Sequence, residues 1–259
     1  MLAEPAYFVQ HFQSALPTSV TKDKDLMELL KQFSEEFHLS LDPRAVTELS
    51  DSLSADPTFA EYQQVIKSGP PNSGPGLTGL TYGLLKLLPE AVLYDLYCIQ
   101  LICWKHKYIP AIWQIKLIQF LQKVIGSESL NDLRPIGLIE VTRKAWSIII
   151  LRKITNVLKK YPTIAESQYG FRPGKGTDSH LIQLIRVLEE AKEQEFHIDL
   201  TSWDQKKAFD SIGKNLQYIG WRRIGVPRSI TKWLASLDLN VVYLVKSKYS
   251  CHALATNMD

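Results

Sequence analysis

The sequence is poor in sulfur, with three cysteines and three methionines in 259 residues. Cys98, Cys103 and Cys251 form no CxxC pair. Neither a disulfide framework nor a zinc site is expected, and a reducing compartment is the default. Long apolar runs are missing as well. The run Ala145–Leu151 is broken by Ser147, whereas a membrane-spanning helix needs about 20 predominantly apolar residues. The first residues, MLAEPAYFVQHFQ, lack a basic start followed by an apolar stretch, so no secretory signal is read there. No GxxxxGK[ST] phosphate loop occurs, no internal repeat is evident, and no two aspartates are adjacent. Apolar residues make up 45% and charged residues 22%, a balance that excludes a disordered chain and fits one large or two small globular domains.

The net charge is only +3, but it is unevenly spread. Residues 1–100 carry 6 basic and 13 acidic side chains, residues 101–175 carry 13 and 4, and residues 176–259 carry 11 and 10. A central segment at +9 suits a polyanion, because Lys and Arg that neutralise phosphates release counterions. Solvated helix faces are the plainer account of the same numbers.

Periodicity predicts a mostly helical start. Leu26, Leu29, Leu30, Phe33 and Phe37 recur at helical spacing, and a second helix is expected from Asp56 as N-cap and Pro57 in the first turn. The Gly- and Pro-dense stretch 68–79 reads as a loop. Helices follow at Leu80–Leu88 and Glu90–Lys107, then a strand within 115–124 and a long amphipathic helix at Val141–Lys160. Residues 168–179, QYGFRPGKGTDS, form a basic turn-rich loop, with Asp178 or Ser179 capping a helix through Ala191. Phe196–Trp203 is predicted as a strand, followed by helix from Phe209, a turn at Gly225-Val226-Pro227, helix at Ile230–Leu237 and a strand at Val241–Val245.

The segment FHIDLTSWDQKKAFDSI (196–212) holds the most chemistry. Such a strand delivers Asp204 at its C-terminal end, and a carboxylate there suits a hard cation that keeps positions open for phosphate oxygens. Alternation turns Asp199 away from Asp204, and Asp210 is free to point either way. A helix cap is the other ordinary role for such an aspartate. Trp113, Trp146 and Trp203 read as core, while His180 and His197 have no partner at ligand spacing.

Four segments taken in order resemble the reverse transcriptase domain of non-LTR retrotransposons. SGPGLTGLTYGLLKLLP (73–89) with IPAIWQIKLIQFLQK (109–123) resembles the opening of the fingers, with Thr78 where that family usually has Asp. LRPIGLIEVTRKAWSIIILRKI (133–154) resembles the "RPIS…K" motif, with Gly137 where Ser is common. SQYGFRPGKGTDSHLIQL (167–184) resembles "QxGFRxGxST", and WDQKKAFDSI (203–212) resembles the first palm motif. The likeness covers about residues 60–215, and residues 1–59 and 216–259 add little to it.

The resemblance implies an α+β fold: helix-rich fingers on an incomplete palm of the right-hand polymerase type, with strand 196–203 central and Val241–Val245 peripheral. It divides the chain into an N-terminal helical region (1–59), fingers (60–190) and partial palm (191–259). It makes Asp204 the first metal-binding aspartate, with the Gln205 carbonyl as a further ligand. Phe209 becomes the residue under the incoming sugar, where its ring would disfavour a 2′-OH, and Asp210 a supporting group. Lys123, Arg134, Lys144, Arg172 and Lys175 would meet triphosphate or template backbone, Arg as a bidentate fork and Lys as a point charge. Tyr169 and Phe171 would stack on template bases or anchor their loop.

The expected cofactor is Mg²⁺, and the expected partners are an RNA template, a DNA or RNA primer and dNTPs, in a nuclear or cytoplasmic intracellular setting. A two-metal polymerase needs further aspartates. After Asp210 only Asp238 and Asp259 remain. The expectation is therefore a polymerase fragment, interrupted between the first and second palm motifs and inactive by itself. A non-catalytic nucleic-acid-binding remnant is the alternative.

Overall fold

A computed structural model describes residues 42–123, 125–126, 129, 132–161, 163–204, 214–239, 241–246 and 251–254. The expected helix around Leu26–Phe37 lies outside them. The first described helix, α1 (Pro43–Ser54), begins where Asp42 accepts the Arg44 N–H at 2.9 Å with Pro43 at the first position. Helix α2 (Phe59–Ser68) is capped by Thr58, not by Asp56. Thr58 takes the Glu61 N–H, and the Glu61 carboxylate returns to the Thr58 N–H. This reciprocal cap needs Glu or Gln three residues on; Asp56 has Phe59 there and Thr58 has Glu61.

Helices α3 (Tyr82–Leu87) and α4 (Glu90–Lys105) are separated by Pro89, as expected. The long helix α5 (Val141–Lys160) has the bounds its periodicity predicts. Its Trp146, Ile149, Ile150 and Ile154 enter one core with Leu49 and Leu53 of α1, Tyr62 and Ile66 of α2, and Trp104 of α4. Trp233 of α8 (Arg228–Ser236) meets Trp104 edge-on at 5.0 Å, which draws the last described helix into the same core. Helix α7 (Lys214–Arg223) leads to α8 through the expected turn at Gly225, whose φ is +88°.

The sheet has the order β2-β1-β3-β4. Strand β1 (Ile115–Gln122) pairs antiparallel with β2 (Leu133–Leu138) and parallel with β3 (Val242–Lys246). β3 also pairs antiparallel with β4 (Cys251–Leu254). The strand expected at the periphery is therefore interior. Its two edges are taken by β1 and β4, while its faces are unevenly covered, Val245 being buried and Val242 exposed.

Residues 196–204 form no strand, which corrects the expectation of a central strand there. Helix α6 (Thr177–Glu193) ends in a left-handed Glu195, φ +55°, with the Phe196 N–H returning to the Ala191 carbonyl at 2.8 Å. From there the chain runs without a ladder partner among the described residues. Phe196, Ile198 and Leu200 are exposed, and Trp203 is 91% exposed rather than in the core. Alternation supplies an apolar side, but a strand also needs backbone partners, and 196–204 has none among the described residues, while the place beside β1 is taken by β3. The architecture is α+β, helices packed around α5 beside a small mixed sheet. No described helix is long and apolar enough to cross a membrane.

Candidate nucleic-acid interface

The Gly- and Pro-rich loop 69–81 is pinned to the start of α5. Glu140, the residue before α5, is buried, and its carboxylate accepts the Thr78 N–H at 2.8 Å and the Thr78 hydroxyl at 2.6 Å. Lys144, one turn into α5, donates to the Gly74 carbonyl at 2.8 Å. Burial pushes the Lys144 ammonium below its ordinary value, against the opposing pull of Glu140. Lys144 thus fastens the loop, a role the sequence reading did not assign to it.

Lys123 and Arg134 come together at the far end of the β1–β2 hairpin. Leu121 and Arg134 are cross-strand partners and so share a face. The Lys123 N–H closes the ladder on the Asp132 carbonyl at 2.7 Å. Both side chains are exposed.

Arg172 and Lys175 meet at a carboxylate that the sequence reading overlooked. Arg172 reaches the Glu166 carboxylate at 3.3 Å and Lys175 reaches it at 2.6 Å. The two cations hold the Glu166 carboxyl below the usual carboxylate range, Lys175 with the larger effect. Arg172 also donates to the Ala165 carbonyl at 2.9 Å, and Lys175 to the Glu166 carbonyl at 2.7 Å. The Lys175 ammonium lies 5.0 Å from the Tyr169 ring centre, and that ring stacks on His180 at 5.0 Å. Tyr169 therefore anchors the loop, one of its two expected roles. Phe171 is exposed at φ +59°. Helix α6 starts from Gly176 without a side-chain cap, so neither Asp178 nor Ser179 plays the expected part. Asp178 sits inside the first turn, where its charge still suits the helix dipole.

Asp204 is exposed, at the last described residue before 214, with no hydrogen bond or ion pair among the described residues. Gln205, Phe209 and Asp210 lie outside the described residues. No group of three or more His, Cys, Asp or Glu that could hold a metal occurs among the described residues. One solvent-facing carboxylate does not amount to a two-cation centre, because each hard cation needs several oxygen ligands. No ion pair among the described residues joins Asp204 to the hairpin cations or to the 165–176 loop.

A second charged group ties the sheet to the helices. Arg143 donates to the Trp113 carbonyl at 2.6 Å and to Asp238 at 2.7 Å, and Lys116 reaches the same Asp238 oxygen at 2.8 Å. Trp113 is buried and donates its indole N–H to Thr142 at 2.9 Å. A trace of this cluster was available in the sequence, since Arg143 lies three residues before Trp146 on the apolar side of α5.

The family model for reverse transcriptase (RNA-dependent DNA polymerase) matches residues 122–254, slightly more than half of the chain. The chain belongs to the reverse transcriptase family. Its match extends through residues 216–254, which the motif reading had found uninformative, and starts only at the end of β1. Among curated relatives, the probable RNA-directed DNA polymerase from transposon BS of Drosophila melanogaster is 25% identical over 181 residues, covering 69% of this chain and 20% of the relative. The RNA-directed DNA polymerase from mobile element jockey, also of Drosophila melanogaster, is 26% identical over 156 residues, covering 60% and 17%. The transposon TX1 uncharacterized 149 kDa protein of Xenopus laevis is 23% identical over 155 residues, covering 60% and 12%. The matched part of the chain thus spans a fifth or less of each of these relatives.

Proposed function

We propose that this chain is the fingers (60–190) and first part of the palm (191–259) of an RNA-directed DNA polymerase from a non-LTR retroelement, preceded by a helical region (1–59). In complete form such a protein adds dNTPs to a DNA or RNA primer on an RNA template with Mg²⁺, inside the cell. The family match over residues 122–254 carries this reading. Exposed Lys123 and Arg134 at one hairpin end support a phosphate-facing role for that end. Arg172 and Lys175 are read as a second phosphate contact, and Lys144 as the residue that holds the neighbouring loop in place. Asp204 is read as one metal ligand with the Gln205 carbonyl, and Phe209 as the residue beneath the sugar. The bound Mg²⁺ would neutralise nucleotide phosphates; the aspartates needed to complete its site are not in this sequence.

The 259-residue chain by itself is therefore expected to bind RNA without polymerising. In a primer-extension assay with RNA template, dNTPs and Mg²⁺, no incorporation is expected. Incorporation abolished by Asp204→Asn would overturn the claim of inactivity. Binding to single-stranded RNA, followed by fluorescence anisotropy, should weaken steeply between about 50 and 200 mM salt. Affinity that stays flat over that range would sink the nucleic-acid reading. The second reading, a non-catalytic nucleic-acid-binding remnant, is favoured by Asp204 belonging to no group of three or more potential metal ligands among the described residues. It predicts the same binding, with Asp204→Asn without effect on RNA affinity at any Mg²⁺ concentration.

A further inference from the structure

We infer that Glu166 is a built-in competitor for phosphate: its carboxylate fills the cradle made by Arg172 and Lys175, and a phosphate reaches those two side chains only by displacing it. This rests on the reading of Arg172 and Lys175 as phosphate contacts and adds the residue that controls them.

The exposures separate gate from cradle. The Glu166 side chain is 76% exposed, whereas those of Arg172 and Lys175 are each 24% exposed. The carboxylate therefore covers the cations from the solvent side. The cations do not depend on it for their position. Arg172 is held by the Ala165 carbonyl, and Lys175 by the Glu166 backbone carbonyl and the Tyr169 ring. Two turns shape the loop without side-chain help, the Gln168 N–H reaching the Ala165 carbonyl and the Lys175 N–H reaching the Arg172 carbonyl. Carbonyl dipoles orient a cation but leave its charge intact. Among the described residues, only Glu166 forms an ion pair with either cation. Rotation of one flexible side chain thus converts a half-neutralised cradle of net charge +1 into a preformed anion site of charge +2.

A surface ion pair of this kind is worth up to about fivefold in an equilibrium constant. A self-occupied cradle rejects weak monoanions and admits a ligand that brings several phosphate charges. The source is either the backbone of a nucleic acid or the tail of a nucleoside triphosphate.

The test uses the full 259-residue chain, a fluorescent single-stranded RNA of about 20 nucleotides, and inorganic tripolyphosphate as a separate titrant. Glu166→Gln should tighten RNA binding about fivefold and steepen the slope of log affinity against log salt by about 1, because a cation freed of its internal partner releases one more counterion. Asp178→Asn makes the same change in net charge nearby and touches neither cation, so it should change affinity less than about twofold. Equal effects from the two variants, or no tightening with Glu166→Gln, would overturn the gate. The double variant Arg172→Gln/Lys175→Gln tests the underlying reading. If it weakens binding while Glu166→Gln does nothing, only the gate falls; if it leaves binding unchanged, the phosphate reading of the loop falls with it. A gain with tripolyphosphate assigns the cradle to a triphosphate tail, and a gain with RNA only assigns it to the backbone. An unchanged urea midpoint for Glu166→Gln shows that the loop change is local.

Discussion

Thr78 and Glu140, 62 residues apart, meet in a two-point contact: the Thr78 backbone N–H and hydroxyl each donate to one oxygen of the buried Glu140 carboxylate, at 2.8 and 2.6 Å. Position 78, where the resemblance led to an expected Asp, here holds a residue that can donate to Glu140. An aspartate there would set a second carboxylate, on an exposed residue, against the buried Glu140 carboxylate. Thr78→Val removes one hydrogen bond to a charged group and should lower stability by about 2 kcal/mol in urea unfolding. Thr78→Asp should cost more, and Glu140→Thr introduced with it should recover part of the loss. Additive losses in the double variant would refute the pairing.

The same contact makes Gly76 sensitive to its smallest extension. A Cβ at that position would lie 2.5 Å from a Glu140 carboxylate oxygen and 2.7 Å from the Glu140 backbone nitrogen. Backbone cannot yield as a side-chain tip can. Gly76→Ala is expected to destabilise by about 1–3 kcal/mol through overpacking, whereas Gly176→Ala, with open space around it, should be close to neutral. Urea midpoints for the two variants check this.

Asp238 gives the fold an acid-sensitive joint. Burial by itself raises its carboxyl, but Lys116 and Arg143 together outweigh burial and hold it below the usual range. A depressed folded-state pKa adds stability that is complete above the unfolded value, about 3.9, and is lost as pH falls through the folded value. Asp238→Asn should therefore cost about 2 kcal/mol near pH 7, less than for a fully buried pair because the carboxylate is partly exposed. The deficit should shrink as pH is lowered below about 3. A deficit that is the same at both pH values would show that the ion pairs contribute nothing.

Helix α6 carries an apolar stripe, Leu181, Ile185 and Leu188, that is exposed, and Ala191 is its one buried residue among those described. Replacing the three by Gln should leave the melting temperature within about 2 °C, since little burial is lost. It should also reduce self-association measured by light scattering. A large fall in melting temperature would show that the stripe is packed in solution.

Helix α5 was legible residue by residue, because its 3.6-residue pattern of Trp146, Ile149, Ile150 and Ile154 is strong and local. The 165–176 loop was legible as basic and turn-rich, and its motif gave Arg172 and Lys175. Glu166 was not, because nothing in a linear string says that a carboxylate six and nine residues upstream folds back over both cations. The strand assigned to Phe196–Trp203 failed for a related reason: alternation describes a face, and pairing depends on a neighbour elsewhere in the chain.

What the sequence by itself determined was the family, the helix-forming segments and the set of residues able to carry charge to a polyanion. These follow from order, spacing and local periodicity. The tertiary structure decided which cations face solvent, which are bound to carbonyls or carboxylates, and that β3 rather than 196–203 takes the place beside β1. Those outcomes depend on contacts that span from six residues, as at Glu166 and Arg172, to more than a hundred, as at Lys116 and Asp238, and local periodicity carries no record of them.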